Sequence, residues 1–315
     1  MTTPAPQTGR AHAFLRPGGF TPYDGGTDTE RTRFLRLTGV FLSALFDGAP
    51  AKLGAAVFLL PAVGYSAYAI VRTQVQVFAV PAPEQTAFLL SNLAAVFAFD
   101  LGWLMLAHAG KVAPLIARDA SQGALLLYFS RPVQRPHYLY ARLTAVTAAS
   151  TAALALPVLL TLVVHLASFG PQLGGATLQG WMSALLWLGA ALVIVVAAAA
   201  SAGLLSLVSL AAGAAVRNPT TAPLLLGGGI LGSLALSWIL QAAWGRETVA
   251  RSVDLHHALG SFHTVGFGLL QPDGLPRFAL VQAGLGVTIW VGLAVGAWWL
   301  LQRFLANPPL GRGRS

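Results

Sequence analysis

Six stretches of nearly unbroken apolar sequence alternate with short polar segments, at Leu53–Val71, Thr86–Ala109, Leu143–Ser168, Trp181–Ala212, Ala222–Trp244 and Phe278–Leu301. Each run holds about 19 to 30 residues, enough to carry a helix across a hydrocarbon layer of about 30 Å. None shows the period-two alternation of a membrane barrel strand. The pattern therefore predicts an all-α, polytopic membrane protein whose six transmembrane helices occupy residues 51–304. Pro61 and Gly64 interrupt the first run, where a membrane helix accommodates a kink. Ahead of it, Phe34, Leu37, Phe41 and Leu45 recur at i, i+3, i+7 and i+11 beside Arg31, Arg33 and Arg36. That spacing predicts an amphipathic helix over 31–50 lying in the membrane interface. Residues 1–30 are polar and rich in Gly, Pro and Thr with no apolar core segment, which reads as a flexible tail and not a signal peptide. Residues 305–315 form a second tail, and no internal repeat stands out.

Composition turns this pattern into a class. Of the 315 residues 56% are hydrophobic and 9% charged, against roughly a quarter charged in an ordinary soluble domain. So few charges cannot clothe a water-soluble surface, and burial in a bilayer takes the place of a soluble core. The net charge of +9 is scattered over short connections instead of gathered into a patch with aromatics, which argues against a nucleic-acid partner. Of the 19 basic residues, all but Arg72, Arg246, Arg251 and Arg277 fall on the side that holds both termini and the second and fourth connections. The positive-inside rule places that side in the cytoplasm. Segment 111–142 is then a cytoplasmic loop, and 245–277 becomes the longest outward loop, its DLHHALGSFHTVGFGLL predicting short re-entrant or interfacial helices. With no cysteine, disulfides, Cys-ligated zinc and thiol catalysis are excluded.

Within the 111–142 loop, GALLLYFS (Gly123 to Ser130) is apolar yet flanked by charges. It is too short to span and too hydrophobic to idle in water, so it needs a partner surface. A short amphipathic helix capped by Ser121 and stopped before Pro132 would bury Leu125, Leu126 and Phe129, with Arg131 and Arg135 at its edge. A helix lying flat on the bilayer is the plainer reading of the same residues.

At these residues the chain resembles the ABC-2 type transporter permeases, membrane subunits of ABC transporters. Their loop between the second and third spans reads acidic, then G-T-L-E-x-L-L-x-x-P-x-S-R, and later G-K. Asp119, Gly123, Leu125, Leu127, Pro132 and Arg135 match, and Arg142 stands in place of the later lysine. Ala124 replaces the usual Thr, and Leu126 stands where Glu is common. The resemblance implies that Asp119, Gly123, Leu125, Leu126, Leu127, Tyr128, Ser130, Arg131, Pro132 and Arg135 form or flank a coupling helix that docks on a separate ATPase subunit. It further implies a pair of permease subunits, either two copies or this chain with a homologous one, in a bacterial cytoplasmic membrane, and export of a cargo. Some relatives instead pass mechanical work to a periplasmic or envelope partner, for which 245–277 would be the contact.

The chain contains no G-x-x-x-x-G-K-[ST], no H-E-x-x-H and no G-x-S-x-G, so no catalytic or cofactor-binding residue is expected in it, and ATP and Mg belong to the partner. Asp100 is the one carboxylate expected deep in a span, where a charge is costly unless paired or hydrated. It reads either as a helix-to-helix hydrogen bond or as an intramembrane polar site, and the latter opens a rival reading, an ion- or proton-coupled carrier. Asn92 and His108, each eight residues from it, read as separate packing contacts. His256, His257 and His263 have only Asp254 as a nearby carboxylate and read as interfacial polar residues, not metal ligands. The pairs Gly228/Gly232 and Gly292/Gly296 fit the small-xxx-small pattern of close helix packing.

Overall fold

The computed structural model describes residues 29–47, 49–75, 82–129, 134–169, 181–244, 247–268 and 277–306. The predicted tails, apart from residues 29–30 and 305–306, lie outside these, as do Ser130, Arg131 and Pro132. Among the described residues every regular element is helical: α1 (Glu30–Phe46), α2 (Ala49–Val75), α3 (Ala82–Ala107), a π-turn (His108–Val112), α4 (Pro114–Ser121), α5 (Ala124–Phe129), α6 (Arg135–Phe169), α7 (Trp181–Val216), α8 (Ala222–Trp244), α9 (Glu247–Val253), α10 (Leu255–Gly268) and α11 (Arg277–Ala306).

Five of the helices are long and apolar enough to cross a membrane, over Asn92–Ser121, Arg135–Ala167, Trp187–Val216, Ala222–Ala243 and Leu280–Ala306. Their outward faces carry large apolar side chains such as Leu156, Val163, Leu192, Leu231 and Trp238 in exposed positions. Hydrocarbon surroundings require such an exterior, since every backbone polar group is already satisfied within the helix. This is a multi-pass, all-helical membrane architecture. The 35-residue α6 is its axis, about 52 Å long at 1.5 Å per residue, with α1, α2, α3 and α7 packed around it. On the other side α7 meets α10 and α11.

Two buried clusters hold the bundle together. A middle one joins Phe97, Leu101 and Leu104 of α3 to Leu154 and Val158 of α6, Ile194 and Leu205 of α7, Leu259 of α10 and Trp290 of α11. A second, at the end where α4 and α5 lie, joins Phe41, Ile116, Leu125, Tyr138, Leu139, Leu210, Leu301 and Phe304. The face of α1 that spacing assigns to lipid, Phe34, Leu37, Phe41 and Leu45, packs onto this second cluster instead, while Leu35, Val40 and Phe46 are the exposed apolar residues. Lys111 caps the arrangement by donating to the Leu45 carbonyl at 3.0 Å, near the C-terminus of α1 where a cation also meets the negative dipole end.

The helices also run further than hydropathy suggests. Residues 111–121 continue the second apolar run through the π-turn into α4, and 135–142 begin α6, so polar side chains in these stretches decorate helices rather than a loop. The π-turn coincides with a close approach: a Cβ on Gly213 of α7 would lie 2.0 Å from the carbonyl oxygen of Ala113, a contact only glycine permits. By contrast, a Cβ on Gly228, Gly232, Gly292 or Gly296 would meet nothing within 4 Å among the described residues.

Candidate functional site

Asp119 sits in the last turn of α4, and Tyr138 and Arg142 lie four residues apart on α6, so the two face the same way. Both donate to one carboxylate oxygen: Tyr138 Oη to Asp119 Oδ2 at 2.5 Å, and Arg142 Nη2 to the same atom. The guanidinium is buried and lies over the Phe41 ring with Cζ 3.9 Å from its centroid. Phe41 in turn meets Tyr128 of α5 and Tyr138 edge-on, at centroid distances of 5.9 and 5.7 Å, and the two tyrosines lie 5.3 Å apart. A desolvated cation held between a carboxylate and a ring face is a strong contact, because little water screens either attraction. Burial and the nearby Asp119 carboxylate push the Tyr128 hydroxyl above its ordinary 10.0, with Arg142 opposing.

The corner thus ties α1, α4, α5 and α6 together around one ion pair. Gly123, at φ +72°, supplies the left-handed turn that folds α5 back from α4, a conformation in which a side chain would be strained. Leu125 is buried in the second cluster. Leu126 and Leu127 belong to α5, but their side chains, like that of Phe129, lie outside the described residues. Two expectations need correcting. Ser121 does not cap α5: it closes α4, donating to the Arg118 carbonyl at 3.0 Å. Arg135 does not sit at the edge of α5; it opens α6 and reaches the C-terminal carbonyls of α11, donating to Leu305 at 3.0 Å and Ala306 at 3.5 Å, groups that a helix end leaves without partners. Asp119, which matches, and Arg142, which stands in place of the later lysine, bond to each other. Phe41 is legible in the sequence only as part of the apolar face of α1, and Tyr138 not as a site residue; the i, i+4 aromatic–arginine spacing of Tyr138 and Arg142 is the signal that points to the latter.

Deeper in the bundle the polar groups divide into two kinds. His108, buried at the π-turn, has Nδ1 2.9 Å from the Leu104 carbonyl. A carbonyl only accepts, so Nδ1 carries the hydrogen and Nε2 accepts from Ser150 of α6 (3.3 Å) or Ser206 of α7 (3.4 Å). Three helices are thereby joined at one ring. Asp100 is also fully buried, but among the described residues neither carboxyl oxygen has a hydrogen-bond partner, and no helix-to-helix bond from it is seen there. Ser201 Oγ on α7 is buried and unpartnered as well. Phe97 and Leu104, at i−3 and i+4 from Asp100, and Ala198 and Leu205, likewise placed about Ser201, all belong to the middle cluster.

At the far end Asp254 caps α10 by accepting from the His256 backbone N–H at 3.0 Å, and lies 3.5 Å from His257 Nδ1. His256 Nε2 donates to the Ala98 carbonyl at 3.0 Å, fastening α10 to α3. Burial lowers the His257 pKa from 6.5, with Asp254 opposing and His256 and Arg251 adding to the shift. Among the described residues no three His, Asp or Glu side chains converge as metal ligands; the side chain of His263 lies outside them. Comparison of the chain with protein-family models and with curated proteins finds no match.

Proposed function

We propose that this chain is the membrane-spanning subunit of an ATP-driven transporter of the ABC-2 type, coupled through α5 to a separate ATPase. The observation that carries this reading is the corner itself: a six-residue helix fixed by Tyr128, Asp119, Tyr138 and Arg142 to the ends of two long apolar helices. A push on α5 has no slack to take up and passes into α4, α6 and α1 together. The residues that resemble the permease motif at either end of the segment, Asp119 and Arg142, make the bond that closes it, which supports the resemblance.

In this reading α2 is the first of six spans, both termini and α5 face the cytoplasm of a bacterium, and two permease subunits enclose the pathway while two ATPases, holding ATP and Mg, dock below. Closure of the ATPases on ATP is converted by α5 into rearrangement of the bundle. Export is the direction the family resemblance favours. Co-purification tests it: a tagged chain crosslinked at Tyr128 should retain an ATPase, and a chain that never retains one defeats the proposal.

One observation favours a second reading. The unpartnered carboxyl of Asp100 is what an ion- or proton-coupled carrier would place in its path. Transport that persists without any ATPase and collapses in Asp100→Asn would establish the carrier in place of the ATP-driven machine.

A further inference from the structure

α9 and α10 form a hairpin, and its depth can be read from its bonds. α8 begins beside Ala113 and α11 ends beside Arg135, so Trp244 and Arg277 lie at the end of the bundle away from α5. From that end the hairpin enters, and its apex is pinned to three spanning helices. The Leu255 N–H donates to Ser233 Oγ of α8 at 3.1 Å, Trp290 Nε1 of α11 donates to the Leu255 carbonyl at 3.1 Å, and His256 reaches Ala98 of α3. Each partner stands near the middle of its helix; Ser233 is eleven residues in from the end of α8, about 16 Å at 1.5 Å per residue. From the apex α10 runs back along α11, with Ala258 against Gly286 and then Ser261 against Ala283. A Cβ on Gly286 would come within 2.9 Å of Ala258 backbone atoms, so the hairpin is seated tightly at this depth.

A helix break in mid-membrane exposes backbone groups that hydrocarbon cannot satisfy. Here Ser233 and Trp290 satisfy them from neighbouring helices, and Asp254 closes the start of α10. The outward side of the apex is another matter. His257 leaves 44% of its side chain exposed above the buried Asp254, and Arg251 is exposed one turn before the break. At the same depth α8 and α11 expose Leu231, Leu236 and Val291. That apolar exterior suits lipid, whereas an imidazole beside a carboxylate does not: ionisable groups at mid-membrane turn to protein or to water, because hydrocarbon cannot solvate them. A long arginine stem carries its charge some way toward the headgroups, but an imidazole has no such reach.

We infer that the apex of α9 and α10 faces water: an aqueous recess enters the bundle from the end away from α5 and reaches mid-depth at His257, open to hydrophilic molecules. Only calling that recess the path of a cargo rests on the transporter reading; the access itself stands on the depth and exposure of the apex.

The test uses the absence of cysteine from the chain, so that His257→Cys introduces a single thiol. Sealed membrane vesicles holding the full-length chain are treated from either side with a charged, membrane-impermeant methanethiosulfonate, and modification is read as protection from a later gel shift by maleimide-polyethylene glycol. The thiolate is the reacting species, and an apolar environment suppresses it. His257→Cys should react faster than Leu231→Cys and Val291→Cys by a factor of about ten or more, and from the side opposite to the one that modifies Arg118→Cys near α5. Rates equal to those of the two apolar-face controls overturn the inference, as does modification only from the Arg118 side. A thiol that is slow in membranes but fast in detergent marks a face covered by lipid or by a second copy, and overturns it too. Should His257→Cys aggregate in size-exclusion chromatography, Arg251→Cys reads the same face, with the same expected and overturning rates. Neither an ATPase nor a cargo enters the experiment, so failure here leaves the coupling proposal standing, and failure to retain an ATPase leaves the recess standing.

Discussion

Asp119 and Asp100 lie on one continuous helical run, about 28 Å apart along its axis, and are treated in opposite ways. Asp119 shares an oxygen with a tyrosine and an arginine, and the arginine is backed by a ring. Asp100, more deeply buried, makes no side-chain hydrogen bond among the described residues. The first arrangement is one that a fold keeps for rigidity: remove either partner and the other is stranded. The second contributes nothing to cohesion that a leucine would not, so its presence calls for an explanation outside stability. The short-helix corner is accordingly the candidate for transmitting force, and the middle of the bundle the candidate for a step that needs a lone polar group.

Arg142→Ala is the most severe way to break this contrast. It strands Asp119 and removes the cation above Phe41, and should cost about 3–5 kcal/mol, read as a drop in the thermal unfolding midpoint of the detergent-solubilised chain. A loss no larger than that of the exposed Arg303→Ala would mean the corner is not the rigid element described. Gly213→Ala tests the joint between the two regions. Its methyl would press on the Ala113 carbonyl, a backbone atom that cannot rotate away, and about 1–3 kcal/mol should be lost. Asp100→Leu should move in the other direction, holding or raising stability by about 1–2 kcal/mol because an unsatisfied group leaves the core. Transport lost in a variant that melts higher would assign Asp100 to function; a variant that melts lower would show that a partner had been removed. The smallest effect lies outside both regions. His257 has a lowered pKa in the folded chain, so the unfolded chain binds more protons as pH falls below 6.5. Stability should be flat well above that value, decline shallowly as pH falls below it, and lose this decline in His257→Gln, as measured by unfolding across the series.

Much of this fold was legible because apolar runs of membrane length leave a helix no alternative, and the runs at 143–168 and 222–244 fall within α6 and α8. Partners were not. The i, i+3, i+7 spacing of Phe34, Leu37 and Phe41 marks an apolar face but does not say whether lipid or protein covers it, and here it is protein. Asp119 and Arg142 were each recognisable by position, yet their bond spans 23 residues across a chain reversal that no local period encodes. Glycine spacing is equally silent on partners: a Cβ on either glycine of the α8 and α11 pairs would meet nothing within 4 Å among the described residues, while the close contacts fall on Gly213 and Gly286.

The π-turn at His108–Val112 has a consequence of its own. A wider turn holds one residue more than an α-helical turn would, and each residue of an α-helix advances the side chains by about 100°. Everything downstream is therefore set at a different azimuth from everything upstream, and that offset lets Asp100 point into the bundle while Asp119 meets α6. Tightening this turn to α geometry with all its residues kept would swing Asp119 about a quarter-turn off its arginine, whereas deleting one residue within it would leave Asp119 near its present azimuth. The surplus residue acts as a phase shifter between two otherwise independent halves of one rod, and the spacing across it is as much a part of the protein's design as the side chains on either side.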